Sequence, residues 1–273
     1  MHRRERRHRG AGHPSPWLLG KKKSLLASER DRDDVIRKRA DYIQRVAGIS
    51  PARLVFVDET GTNIAMTRLC SRALVGERAF GKAPKNHGVN LTVVGAIALD
   101  GVRALMAYEG GTTREAFLRF TREALVPSLR KGDVVVMDNL RSHYAEGVQS
   151  SIEAVGASLL YLPPYSPELN PIELAWSKMK AALRRVGART LKALAAALPV
   201  ARGLFCASDF RGWFRHAGYE AQPNGRALLS ARRLRGARFS WPMHARAPNI
   251  EPPTHPSDVR SFLSGISESC VAL

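Results

Sequence analysis

Residues 161–185 read YLPPYSPELNPIELAWSKMKAALRR, and the rest of the chain can be placed from the helix this stretch contains. Asn170 can cap it, Pro171 suits the first helical position with its fixed φ and missing N–H, and Glu173 falls in the first turn, where the helix dipole tolerates negative charge. Ile172, Trp176, Met179 and Leu183 recur at the 3.6-residue period as one apolar stripe, which must face a core. Lys180 and Arg184 project in nearly the direction of Glu173, so the carboxylate shares its exposed face with cations. With Lys178 and Arg185 they make a basic surface suited to a DNA backbone. Taken alone, Glu173 is equally an ordinary first-turn glutamate on a solvated helix face.

Upstream, two segments give that glutamate company. Residues 53–58, RLVFVD, and 133–138, DVVVMD, are short continuous apolar runs that end in an acid, the pattern of strands buried on both faces that deliver a side chain at their ends. Asp58 and Asp138 are therefore candidate ligands. Glu59 follows Asp58, but adjacent strand residues point to opposite faces, so Asp58 is chosen. Three converging carboxylates repel one another unless a cation lies between them. Oxygen donors with no cysteine or histidine imply Mg²⁺ or Mn²⁺, and two such ions suit in-line attack at phosphorus.

Between the two runs, residues 89–99 and 102–108 flank Asp100-Gly101 and predict an antiparallel hairpin. Residues 113–129 predict a helix capped by Thr112 or Thr113 and ended at Lys131-Gly132. Asn139, Ser142 and His143 open a further helix to about Val155, and residues 158–162 make another strand. The order is strand, hairpin, helix, strand, helix, strand, helix: an α/β domain on a mixed sheet.

The flanks are different in kind. Residues 1–23 form a basic arm with no apolar periodicity, expected to be disordered, and residues 24–52 hold a charged linker helix. The folded domain is expected over 53–220. Residues 221–273 are a Pro- and Arg-rich tail without lysine, also expected to be disordered. Across all 273 residues, 43 Lys and Arg against 24 Asp and Glu leave a net charge of +19, the sign expected of a protein with a polyanionic partner. Three scattered cysteines support neither a disulfide framework nor a zinc site, and no apolar run has the length of a membrane span. The expected location is the cytoplasm, at the nucleoid, with no membrane partner.

The strings DET at 58–60, DNLRSH at 138–143 and PPYSPELNPIELAW at 163–176 resemble the DDE transposases of the mariner-like superfamily, in the branch found in bacterial insertion sequences. The 34 residues between Asp138 and Glu173 are the spacing typical of that group. The similarity runs from about residue 21 to Tyr219. It implies a ribonuclease-H-like, retroviral-integrase-like fold: a mixed five-stranded sheet flanked by helices, with Asp58, Asp138 and Glu173 in the metal-ligand positions. It also implies two Mg²⁺ or Mn²⁺ ions, cleavage of transposon ends, and attack of the freed 3′-hydroxyl on target DNA. Asn139 and His143 fall beside the site in that pattern, His143 with a supporting role at a carboxylate or phosphate. The implied partners are transposon-end and target DNA, a second copy in an active homodimer, and an upstream-encoded helix-turn-helix half, since members carry such domains where this chain has its Arg-rich arm. A non-mobile remnant that only binds DNA or dimerises is the other reading open at this point.

Overall fold

The computed structural model describes residues 27–139, 147–221 and 227–228. Five strands, β1 (Leu54–Thr62), β2 (Leu91–Ala98), β3 (Gly101–Glu109), β4 (Val134–Met137) and β5 (Ser158–Tyr161), form one sheet in the order β3-β2-β1-β4-β5. β1 pairs antiparallel with β2 and parallel with β4, so the sheet is mixed, as predicted. The apolar runs are unbroken because both faces are covered. Leu54, Phe56 and Val136 pack on one side, and Val55, Val57, Val135 and Met137 on the other.

The first face is covered by α1 (Asp33–Ala47), α4 (Ile172–Val186), α5 (Leu191–Gly203) and α6 (Ala207–Ala217). The stripe read from sequence is the buried stripe of α4: Ile172, Trp176, Met179 and Leu183. Phe56 lies at the centre of this layer, with the Phe214 ring edge-on at 5.4 Å and the Tyr219 ring at 4.9 Å. The second face is covered by α2 (Arg114–Phe120) and α3 (Val148–Glu153), through Phe117, Phe120, Leu125 and Ile152.

Several local expectations are revised. β1 does not stop at Asp58; residues 59–62 go on pairing with Val94 to Leu91 after the parallel ladder with β4 has ended. The hairpin turn is Leu99-Asp100 rather than Asp100-Gly101, because Ala98 pairs with Gly101 and that glycine, at φ 149°, serves as the first residue of β3. Thr113 caps α2 by accepting from the Ala116 N–H at 3.2 Å. The helix then widens through a π turn at Thr121–Leu125 and tightens at Val126–Ser128, around Pro127, instead of running unbroken to Leu129.

The segment expected to be a linker is docked on the domain. After a tight turn at Ser28–Asp31, α1 buries Val35, Tyr42 and Val46. Tyr42 and Tyr219 share a 2.8 Å hydroxyl hydrogen bond, and Tyr219 donates on to the Leu169 carbonyl at 2.7 Å. Arg30 and Arg39 each reach Glu168 Oε1 at 2.7 Å, and Arg39 also donates to Ser166. Apolar burial and these charge-assisted contacts together fasten the loop that leads into α4. The basic arm, the tail beyond 221 apart from residues 227–228, and residues 140–146 lie outside the described residues. The start of the tail is paired: β6 (Glu220–Ala221) runs antiparallel to β7 (Ala227–Leu228).

Candidate active site

The last parallel pair between β1 and β4 is Val57 with Met137, so Asp58 and Asp138 follow at neighbouring positions where that ladder ends. Side chains alternate along a strand, which puts both acids on the face of Phe56 and Val136, the face α4 covers. Glu59 falls on the opposite face, near Tyr108, whose hydroxyl is made less acidic by burial first and by Glu59 second. The choice of Asp58 over Glu59 follows the pleat.

Asp58 is 8% exposed. Its Oδ2 accepts from Trp176 Nε1 and from Asn170 Nδ2, each at 3.3 Å, and its Oδ1 accepts from the Glu59 backbone N–H at 2.7 Å. Burial pushes its carboxyl up to about 7; Glu173 and Asp138 push the same way, while the Glu59 N–H and the Trp176 N–H pull against them. Glu173 stands in the first turn of α4, exposed at the rim. Its carboxyl is also raised, by desolvation first; Lys180 opposes the rise and Asp138 adds to it. Glu173 and Asp138 thus act electrostatically on Asp58, and Asp138 acts on Glu173 as well.

Among the described residues no three acidic, histidine or cysteine side chains close round one point as a ready cage for an ion. The fit to a divalent cation rests instead on donor chemistry: Asp138 raises the proton affinity of both Asp58 and Glu173, and the three donors are carboxylates, with no imidazole or thiolate among them. Hard oxygen donors of this kind suit Mg²⁺ or Mn²⁺.

The remaining candidates divide. Asn139 follows Asp138 and is exposed; His143 lies outside the described residues. Lys180 is half-buried beside Glu173, Arg184 is half-buried and Arg185 exposed. Lys178 is not a free cation of this surface: its Nζ is held by Asp209 of α6 at 2.6 Å. The reason is angular, since five residues at about 100° each turn it away from Glu173, whereas seven and eleven bring Lys180 and Arg184 back. Asn170 does not cap α4: its side-chain oxygen accepts no helix N–H, its amide donates to Asp58, and Pro171 with helical φ and ψ stands at the boundary. Trp176 also does more than fill the stripe. The available signal was its indole N–H, which needs a partner when buried.

The profile of the DDE superfamily endonucleases matches residues 53–195, from the start of β1 into α5. The chain belongs to the DDE superfamily endonucleases. Among solved structures, this DDE endonuclease is similar to the Mos1 transposase paired-end complex with left transposon end, at 17% identity and a TM-score of 0.59 over 74% of this chain and 64% of that one. The Mos1 mariner paired-end complexes with Mn and with Mg match at 16% and 18% identity and TM-scores of 0.57 and 0.56, each over 74% of this chain and 64% and 63% of theirs. The chain thus spans a little under two thirds of those Mos1 chains. The likeness is one of fold: the mixed five-stranded sheet with flanking helices is the ribonuclease-H-like fold of the Mos1 catalytic domain. A comparison with curated proteins finds no match.

Proposed function

We propose that this chain is the catalytic domain of a mariner-like transposase of an insertion sequence, cutting DNA at the element's ends and joining the freed ends to target DNA. The observation that carries the reading is the β1–β4 register, which makes Asp58 and Asp138 neighbours at the end of the ladder, with Glu173 of the first turn of α4 acting on Asp58. The Mos1 complexes, one with a left transposon end and others with Mn or Mg, support the choice of partner and ion.

Asp58, Asp138 and Glu173 would hold the divalent ions. Two bound ions would supply Lewis-acid stabilisation of charge on the attacking and leaving oxygens. Lys180 and Arg184 hold the DNA backbone beside Glu173, and Asn139 and His143 support the carboxylates. In the first reaction water attacks phosphorus and the P–O3′ bond breaks, leaving a 3′-hydroxyl and a 5′-phosphate. In the second that hydroxyl attacks a target phosphodiester and displaces a new 3′-hydroxyl, so no bond energy need be supplied from outside. Transposition implies a homodimer holding two ends, an upstream-encoded helix-turn-helix partner to recognise them, and a place at the nucleoid in the cytoplasm.

The test is Mn²⁺-dependent cleavage and joining of a pre-nicked end substrate. Asp138→Asn should abolish both while its circular dichroism and melting stay those of the wild type. Retained activity in that variant would remove the three acids from the mechanism. A wild-type protein that binds DNA without cutting it would favour the non-mobile remnant.

A further inference from the structure

Asp58 Oδ2 is engaged twice, by Trp176 Nε1 and by Asn170 Nδ2, and both donors come from one unit, α4 and the loop before it. A carboxylate oxygen has about two acceptor directions, so two donors fill Oδ2. Oδ1 accepts only the Glu59 N–H among the described residues and keeps capacity for a further partner. Asn170 is itself buried, and its Oδ1 has no hydrogen-bond partner among the described residues. The side chain is thus oriented with its N–H on Asp58 while its buried oxygen goes unpaired, an arrangement that stability alone does not favour.

A third residue makes this arrangement possible. In the β1–β2 ladder Asp58 lies opposite Gly95, and a Cβ built on Gly95 would come within 2.7 Å of Trp176 Cη2 and 3.0 Å of Leu105 Cδ1. The indole rests where a side chain would otherwise stand. Every other residue of β2 carries a side chain, so the gap lies directly opposite Asp58, where the Trp176 indole meets it.

We propose that Trp176, seated over Gly95, and Asn170 are positioning residues that fix Oδ2 of Asp58 and leave Oδ1 as the oxygen that meets a divalent cation. The inference rests on the metal reading given above. α4 then does two things at once: it supplies Glu173 and it orients the first aspartate, so the acids reach their places together when this helix docks.

Mn²⁺ binding to the full chain, followed by electron paramagnetic resonance, tests this without using turnover. Trp176→Phe and Asn170→Ala should each weaken Mn²⁺ binding by roughly 10- to 100-fold, the usual scale when a metal ligand is deprived of its hydrogen-bond partner, with metal-free melting little changed for the phenylalanine variant. Gly95→Ala should do the same by pushing the indole away, though it alters no polar group. The double variant Gly95→Ala/Trp176→Phe should be no worse than Trp176→Phe, because both remove the same indole hydrogen bond. In cleavage assays the Mn²⁺ concentration for half-maximal rate should rise more than the rate at saturating Mn²⁺ falls. Wild-type Mn²⁺ affinity in Trp176→Phe, or fully additive losses in the double variant, would overturn the positioning role while a weakened Asp138→Asn control keeps the metal reading. If Asp138→Asn binds Mn²⁺ as the wild type does, or the wild type binds none, both ideas fall.

Discussion

Asp58 and Glu173, two carboxylates of the proposed site, lie in opposite surroundings. Asp58 is buried, accepts three N–H donors and lies on a strand packed on both faces. Glu173 is exposed in the first turn of a helix, with Lys180 acting against the desolvation that raises it. For Asp58 burial wins and the carboxyl reaches about 7; for Glu173 a cation and solvent hold the rise in check. The contrast separates two jobs. An acid built into the sheet has one orientation set by packing, and an acid at a helix start stays free to adjust to what binds.

The sharpest way to break this contrast is to remove the charge from each acid. Asp58→Asn should abolish Mn²⁺-dependent cleavage and at the same time raise metal-free stability at neutral pH, because it removes a charge whose burial is costly. Glu173→Gln should also abolish cleavage, but with little change in melting, its side chain being exposed. Paired cleavage and melting measurements decide it; a destabilised Asp58→Asn would mean that the buried charge is offset in a way the contrast leaves out.

The same comparison is only partly legible in the sequence. The apolar runs ending at Asp58 and Asp138 announce buried strands, and the stripe of α4 announces its buried face, because both follow from local periodicity. The register that makes the two aspartates neighbours is a long-range pairing, which no local pattern encodes. Asn170 reads as a cap for a similar reason: asparagine before a helix start is good capping chemistry, and only the tertiary fold brings Asp58 within its reach. α1 looks like a linker because its apolar residues stand among many charges, yet Val35, Tyr42 and Val46, set among those charges, are buried. Of the cations read onto the helix face, Lys178 is the one whose angle already points elsewhere, to Asp209.

A second prediction sharpens the contrast through pH. Unfolded, Asp58 has its ordinary value of 3.8; folded, it holds its proton to about 7. Between those values the folded state binds more protons than the unfolded chain, so stability is greatest below about pH 4 for this group and is lost as pH rises towards 7. Metal-free melting should therefore decline across that window more steeply in the wild type than in Asp58→Asn, and saturating Mg²⁺ should flatten the decline. Equal slopes in the two proteins would show that Asp58 is not the group responsible. Glu173→Gln should change the slope less, since its charged form is partly compensated by Lys180.

The smallest effects concern the cations on α4, and they test whether the open side of the site is the side that meets DNA. Lys180 acts on Glu173 and Arg184 falls in the same helical direction, while Lys178 is bound to Asp209, whose carboxylate also accepts the Cys206 N–H at 2.8 Å at the start of α6. Lys180→Met and Arg184→Met should each reduce the slope of log Kobs against log salt by about one, as expected when the protein neutralises one phosphate fewer. Lys178→Met should leave that slope as it is. It should lower stability by less than about 1 kcal/mol, because the pair is partly solvated and Asp209 keeps its bond to the Cys206 N–H. A salt titration of the three variants against one duplex separates the cases, and a reduced slope for Lys178→Met would mean that the ion pair opens to DNA and that helical angle alone does not sort these cations.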